Sequence, residues 1–117
     1  MNTVIDKIKL QISQNPVLLY MKGTTEFPQC GFSAKVVNIL KSLKVKFAYV
    51  NILENPDIRA ELPHYANWPT FPQLYIKEEL VGGCDIVSEL YENGELQELL
   101  EEAQAINAVE SESRSIA

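Results

Sequence analysis

Cys30 is the residue of this chain best placed to do chemistry. It lies in the run Phe27-Pro28-Gln29-Cys30-Gly31-Phe32-Ser33, between an apolar stretch of strand length and a segment with helical periodicity. The first N–H groups of a helix have no partners inside it, and that end carries partial positive charge. A sulfur placed there is stabilised as thiolate, below the free-thiol pKa of about 8.5. A thiolate is both a nucleophile and a soft ligand suited to iron. A dithiol redox motif needs a second cysteine three residues on, and Ser33 stands there instead. The other thiol, Cys84, lies in Gly82-Gly83-Cys84-Asp85. It could pair with Cys30 only if the fold brought their Cα atoms within about 7 Å. Two cysteines make no disulfide framework, and with the single His64 they form no sequence-evident zinc set. His64 reads as a helix-surface residue, and Glu95, Glu98, Glu101 and Glu102 as a solvated helix face.

The 117 residues fit one domain, and 46% hydrophobic content fits a packed core. A net charge of −6 argues against nucleic-acid partners, which require an excess of Lys and Arg. No apolar run approaches the roughly 20 residues of a membrane span. Met1-Asn2-Thr3-Val4-Ile5-Asp6 lacks the basic start and apolar block of a signal peptide, so a cytoplasmic, reducing location is expected.

The elements that must position Cys30 follow from the apolar pattern. Thr3 can cap a first helix with Ile5, Ile8 and Ile12 at helical spacing, ended by Asn15-Pro16. Residues 17–21 read as a strand buried on both faces. After the loop 22–29, a helix opens at Cys30 or Gly31 with Phe32, Val36, Leu40 and Leu43 as its expected buried stripe. Residues 45–52 form a second strand, with Val45, Phe47 and Tyr49 on one face and Ala48, Val50 and Ile52 on the other. Asn55-Pro56 starts a third helix that reaches about Ala66, with Pro63 inside it. Residues 73–76 and 79–81 read as a hairpin around Lys77-Glu78, although the turn lacks an Asn-Gly or Asp-Gly signal. Asp85 can cap a short helix, and a last one runs from Glu95 to about Ala105. The polar residues 109–117 are expected to fray as a disordered tail beyond a domain of residues 1–108. The order gives an α/β fold: a mixed four-stranded sheet with helices on both faces and a right-handed parallel crossover.

These residues resemble the monothiol glutaredoxins of the Cys-Gly-Phe-Ser type. The resemblance runs from about Thr3 to Leu100. It rests on Tyr20-Met21-Lys22-Gly23, Pro28-Gln29-Cys30-Gly31-Phe32-Ser33, Asn55-Pro56-Asp57-Ile58-Arg59, Trp68-Pro69-Thr70-Phe71-Pro72-Gln73 and Gly82-Gly83-Cys84-Asp85, all in order. It implies a thioredoxin-like fold with an extra N-terminal helix, glutathione as ligand and a [2Fe–2S] cluster as cargo. Read from the residues alone, Lys22 and Arg59 are solvated charges. The resemblance places Lys22 near the Cys30 thiolate and a glutathione carboxylate, and Arg59 on the glycine-end carboxylate. An Arg fork suits that contact. The resemblance also implies a cis Phe71-Pro72 bond, which would expose the Phe71 backbone to glutathione as an added strand. Gly83, Cys84 and Asp85 form a strand-to-helix joint whose free N–H groups suit an anion. The γ-glutamyl carboxylate is expected there, with Asp85 accepting from the amine. Cys84 reads as a packing residue rather than a resolving thiol. Trp68 is equally core or stacking wall.

Two functions follow. In the first, Cys30 from each of two subunits and two glutathione sulfurs bridge a [2Fe–2S] cluster that is passed to apoproteins. The resemblance further implies a homodimer, heterodimers with BolA-like proteins, and exchange with iron–sulfur scaffold proteins. In the second, Cys30 attacks glutathione mixed disulfides as a monothiol oxidoreductase, an activity expected to be weak at most.

Overall fold

In the computed structural model, residues 3–107 and 109–117 are described. Two parallel strands, β1 (Val17–Met21) and β2 (Lys46–Asn51), form the middle of the sheet, with Leu18 opposite Ala48 and Tyr20 opposite Val50. Every β1 residue is buried, as an apolar run covered on both faces requires. Along both strands the side chains alternate between two cores. Val17, Leu19, Met21, Phe47 and Tyr49 face one, and Leu18, Tyr20, Ala48 and Val50 face the other. The crossover between them is α2 (Gly31–Ser42), which packs Val36, Val37 and Leu40 into the first core. That core also receives Val87 from α4 (Cys84–Glu92) and Leu96 and Leu100 from α5 (Glu95–Glu102). The second core takes Ile8 and Ile12 from α1 (Val4–Gln14) and Ile58 and Leu62 from α3 (Pro56–Ala66).

The helix starts differ in how they are held. Thr3 caps α1 through a reciprocal box: its hydroxyl accepts from the Asp6 N–H, and the Asp6 carboxylate accepts from the Thr3 N–H. Asn55 stands at the cap position of α3 with Pro56 behind it, but its side chain donates to the Asn51 carbonyl at 2.8 Å instead of capping. Pro63 lies within α3, which continues through it to Ala66. On the other side of β1, β3 (Gln73–Ile76) runs antiparallel to it, and β4 (Glu79–Gly82) completes the expected hairpin. Its turn residues Lys77 and Glu78 both take positive φ, 50° and 70°, without a glycine.

Three expectations are corrected. The sheet has five strands, in the order β4-β3-β1-β2-β5, not four. The fifth, β5 (Glu112–Ser115), lies in the stretch read as a frayed tail and pairs in parallel with β2 from Lys46 to Tyr49. All its side chains are exposed, so apolar periodicity could not reveal it. It forms because the outer edge of β2 offers unpaired backbone groups. Second, Phe32 is 62% exposed and not part of the α2 stripe. Third, α4 starts at Cys84 with Gly83 as its N-cap, so Asp85 lies inside the first turn and not at the cap.

Candidate functional site: a groove at the start of two helices

The groove begins at Cys30, the N-cap of α2, whose extended backbone (φ −151°, ψ 134°) turns the chain into the helix. Burial works against ionisation of its thiol. Hydrogen bonding from the backbone N–H groups of Ser33 and Phe32, the Lys22 ammonium and the Ser33 hydroxyl outweigh it, and hold Cys30 below the ordinary thiol range. Ser33 is fully buried, and its Oγ accepts from the Lys22 backbone N–H at 3.2 Å. The residue in the place of a second cysteine therefore ties the end of β1 to the start of α2 and supports the sulfur.

The loop 22–29 is closed by its own backbone. Gln29 N–H donates to Lys22 carbonyl at 2.9 Å, and Thr24 and Phe27 bond each other. Gly23 takes φ +92°, and a Cβ there would stand 2.6 Å from both the Phe27 carbonyl and the Gln29 nitrogen. No other residue fits without opening the loop. The buried Asn51 carbonyl oxygen of the side chain accepts from Gly23 and Leu53 N–H at 2.9 and 3.0 Å. Thr25, also buried, is held by Ser113 of β5 (Oγ1···Oγ 2.8 Å) and by Lys41, whose Nζ donates to its carbonyl at 3.3 Å.

The opposite wall is the segment 68–72 with its cis Phe71-Pro72 bond. Gln73, completely buried at the start of β3, anchors it by donating to the carbonyls of Trp68 and Thr70 at 3.0 and 3.2 Å. The head of α4 closes the groove. There Cys84 is buried, its sulfur 4.0 Å from Ser88 Oγ, while Asp85 is exposed. Arg59 is exposed on α3. Neither it nor Lys22 forms a salt bridge among the described residues, where the ion pair present is Lys7–Asp57 at 2.7 Å.

One groove of about 690 Å³ is lined by Lys22, Cys30, Arg59, Phe71, Pro72, Gly83, Cys84 and Asp85, every position singled out from the sequence. Phe32 and Trp68 also line it. His64 is exposed on α3 and does not line it. Sequence reasoning gave no role to Asn51, Ser33 or Gln73. For Asn51 and Gln73 the available signal was a polar residue in an otherwise buried stretch, since such a residue must find partners; Ser33, with exposed Gly31, Phe32 and Lys35 around it, carried no such signal. Chemically the groove offers one partly exposed thiol whose pKa is lowered, two cations without ion-pair partners among the described residues and a helix head, a set that fits an anionic thiol compound.

A family model described as Glutaredoxin matches residues 17–81. The chain is 63% identical to Glutaredoxin 4 of Escherichia coli (strain K12) over 105 residues, 90% of this chain and 91% of the relative. Identity is also 63% with Glutaredoxin 4 of Pasteurella multocida (strain Pm70), covering 86% and 93%. Among solved structures, reduced poplar apo GrxS14 superposes with a TM-score of 0.75 at 53% identity, covering 87% of this chain and 94% of that one. A buckwheat glutaredoxin–glutathione complex superposes at 0.79 with 24% identity, covering 89% and 93%, which shows the shared thioredoxin-like fold. The chain belongs to the glutaredoxin family, and Cys30 with Ser33 three residues on makes it a monothiol member of the Cys-Gly-Phe-Ser type.

Proposed function

We propose that this protein binds glutathione in the groove and, as a homodimer, carries a [2Fe–2S] cluster held by Cys30 of each subunit and by two glutathione sulfurs. The observation that carries the reading is the inequality of the two thiols. Cys30 is partly exposed at the groove with its thiolate supported, while Cys84 is buried and Ser33 fills the resolving position. A [2Fe–2S] cluster takes four ligands, most often thiolates. One accessible thiol per chain meets that demand only with a second subunit and borrowed sulfurs. Ligands that can diffuse away keep the cargo exchangeable, which suits delivery to apoproteins.

In this reading Arg59 and Lys22 receive the glycine-end carboxylate. The Phe71 backbone pairs with the cysteinyl unit, Pro72 fixes its direction, and the head of α4 at Gly83, Cys84 and Asp85 takes the γ-glutamyl end. Work in the cytoplasm, where thiols are kept reduced, fits a free cysteine at the surface. Scaffold proteins and BolA-like proteins are the proposed exchange partners.

The lowered Cys30 pKa also supports a second activity, reduction of glutathione mixed disulfides. The Cys30 thiolate would attack the glutathione sulfur, the S–S bond would break, and the target thiolate would leave and take up a proton. A second glutathione thiolate would then attack the new mixed disulfide, releasing glutathione disulfide and restoring Cys30.

Anaerobic reconstitution with iron, sulfide and glutathione separates the two. The carrier reading predicts a coloured protein whose visible absorption needs both glutathione and Cys30, and which survives Cys84→Ser. A colourless protein with brisk disulfide reduction would reverse the order of the readings.

A further inference from the structure

Trp68 Nε1 is a buried side-chain nitrogen without a hydrogen-bond partner, and no other buried side-chain nitrogen or oxygen among the described residues lacks one. An indole N–H can only donate, and leaving a buried donor unpaired is unfavourable. Its surroundings point to the acceptor it awaits. A Cβ on Gly83 would lie 3.6 Å from Trp68 Nε1 and 3.2 Å from the Pro72 carbonyl, so the N–H stands over the bare Cα of the α4 N-cap. The base of the side chain is fixed. Trp68 N–H donates to Pro63 carbonyl at 3.1 Å, and Trp68 carbonyl accepts from Gln73 Nε2 at 3.0 Å. The ring is only partly covered and borders the groove. A donor at the head of a nine-residue helix adds to the free N–H groups already there.

We infer that Trp68 is a ligand-binding residue whose indole N–H donates to the α-carboxylate of the γ-glutamyl unit seated on α4. The inference rests on the glutathione reading and deepens it. It makes Trp68 the residue that distinguishes γ-glutamyl thiols from other cysteine peptides. The N–H is covered in the free chain, so the ring turns about its fixed base when the carboxylate arrives. Core packing or simple stacking would need neither the unpaired donor nor its place over Gly83.

Trp68 is the single tryptophan, so one indole N–H signal in a proton–nitrogen NMR spectrum reports on it alone. The wild-type protein is titrated with glutathione, γ-glutamylcysteine and cysteinylglycine. The indole signal is expected to move downfield with the first two and to stay in place with the third. Trp68→Phe is expected to weaken glutathione and γ-glutamylcysteine by about tenfold and cysteinylglycine by less than about twofold. If residues 83–85 shift with glutathione while the indole does not, the inference is overturned and glutathione binding stands. An equal loss for all three ligands overturns it as well. No shift anywhere overturns both. Should Trp68→Phe fail to fold, the wild-type titration decides alone.

Discussion

Truncation after Glu110 removes β5 and tests whether the strand is a marginal strap on a self-sufficient domain. The chain would lose the bonds from Glu112 N–H to Val45 carbonyl and from Ile116 N–H to Tyr49 carbonyl, both 3.1 Å, and from Ser111 Oγ to Val45 carbonyl, 2.7 Å. It would also lose Ser113–Thr25 and the 3.2 Å bond from Arg114 to Asn15. About 1 kcal/mol net for each of these five bonds is offset by the ordering of the seven residues removed, about 1 kcal/mol each for an edge segment with exposed side chains. With every β5 side chain exposed, partial burial of Ile116 supplies the main apolar gain, about 1 kcal/mol. The truncated protein should therefore lose about 0–2 kcal/mol and fall by at most about 8 °C in Tm. The Ser113–Thr25 bond is the strand's link to the loop before Cys30, so amides in residues 24–29 should exchange faster with deuterium. Ser113→Ala should reproduce that effect and lower Tm by no more than about 4 °C. Circular-dichroism melting and hydrogen exchange read both. A loss above about 4 kcal/mol, or unchanged exchange across residues 24–29, would refute the reasoning.

Alkylation of Cys30 by iodoacetamide should rise with pH and level off at a midpoint below the free-thiol value of about 8.5. Only the thiolate reacts, so Ser33→Ala and Lys22→Gln should move the midpoint upward and slow the reaction near pH 7 by roughly threefold or more; midpoints identical to wild type would remove both groups from the account. Arg59→Ala should weaken glutathione by about tenfold, with little loss for glutathione amidated at its glycine carboxylate, as calorimetry can show. Tyr20→Phe leaves the buried Gln11 Oε1 without the donor it now accepts from at 2.8 Å, and should cost about 1–3 kcal/mol in urea unfolding. A neutral result there would mean that water replaces the lost hydroxyl.

Apolar pattern made the interior legible. The doubly buried β1 and the two-faced β2 follow from side-chain chemistry that repeats along the chain, and the start of α3 from the fixed φ of Pro56 at its first position. β5 was not legible, because a parallel edge strand of Glu, Ser, Arg and Ser is held by backbone groups that carry no residue signature. Phe32 was misread because a residue in the first turn of a helix can follow the helical period and still face solvent. Asp85 was misread because Gly83, one of two adjacent glycines, supplied the turn a step earlier than a side-chain cap would. At the groove, the family resemblance carried by the motifs pointed to the lining residues, whereas Lys22 and Arg59 read alone were surface charges. The roles of Ser33 and Asn51 were not legible because each bonds a backbone N–H distant in sequence, and that of Gln73 because its partners, though only three and five residues away, are backbone carbonyls that carry no residue signature. The Trp68 donor became visible only through its missing partner.

The central claim is a cluster shared by two chains through borrowed sulfurs, and native mass spectrometry of the anaerobically reconstituted protein tests it most directly. The account predicts one species of two chains, one [2Fe–2S] unit and two glutathiones, absent from Cys30→Ser. A cluster-bound monomer, or a cluster-bound dimer without glutathione, would contradict it.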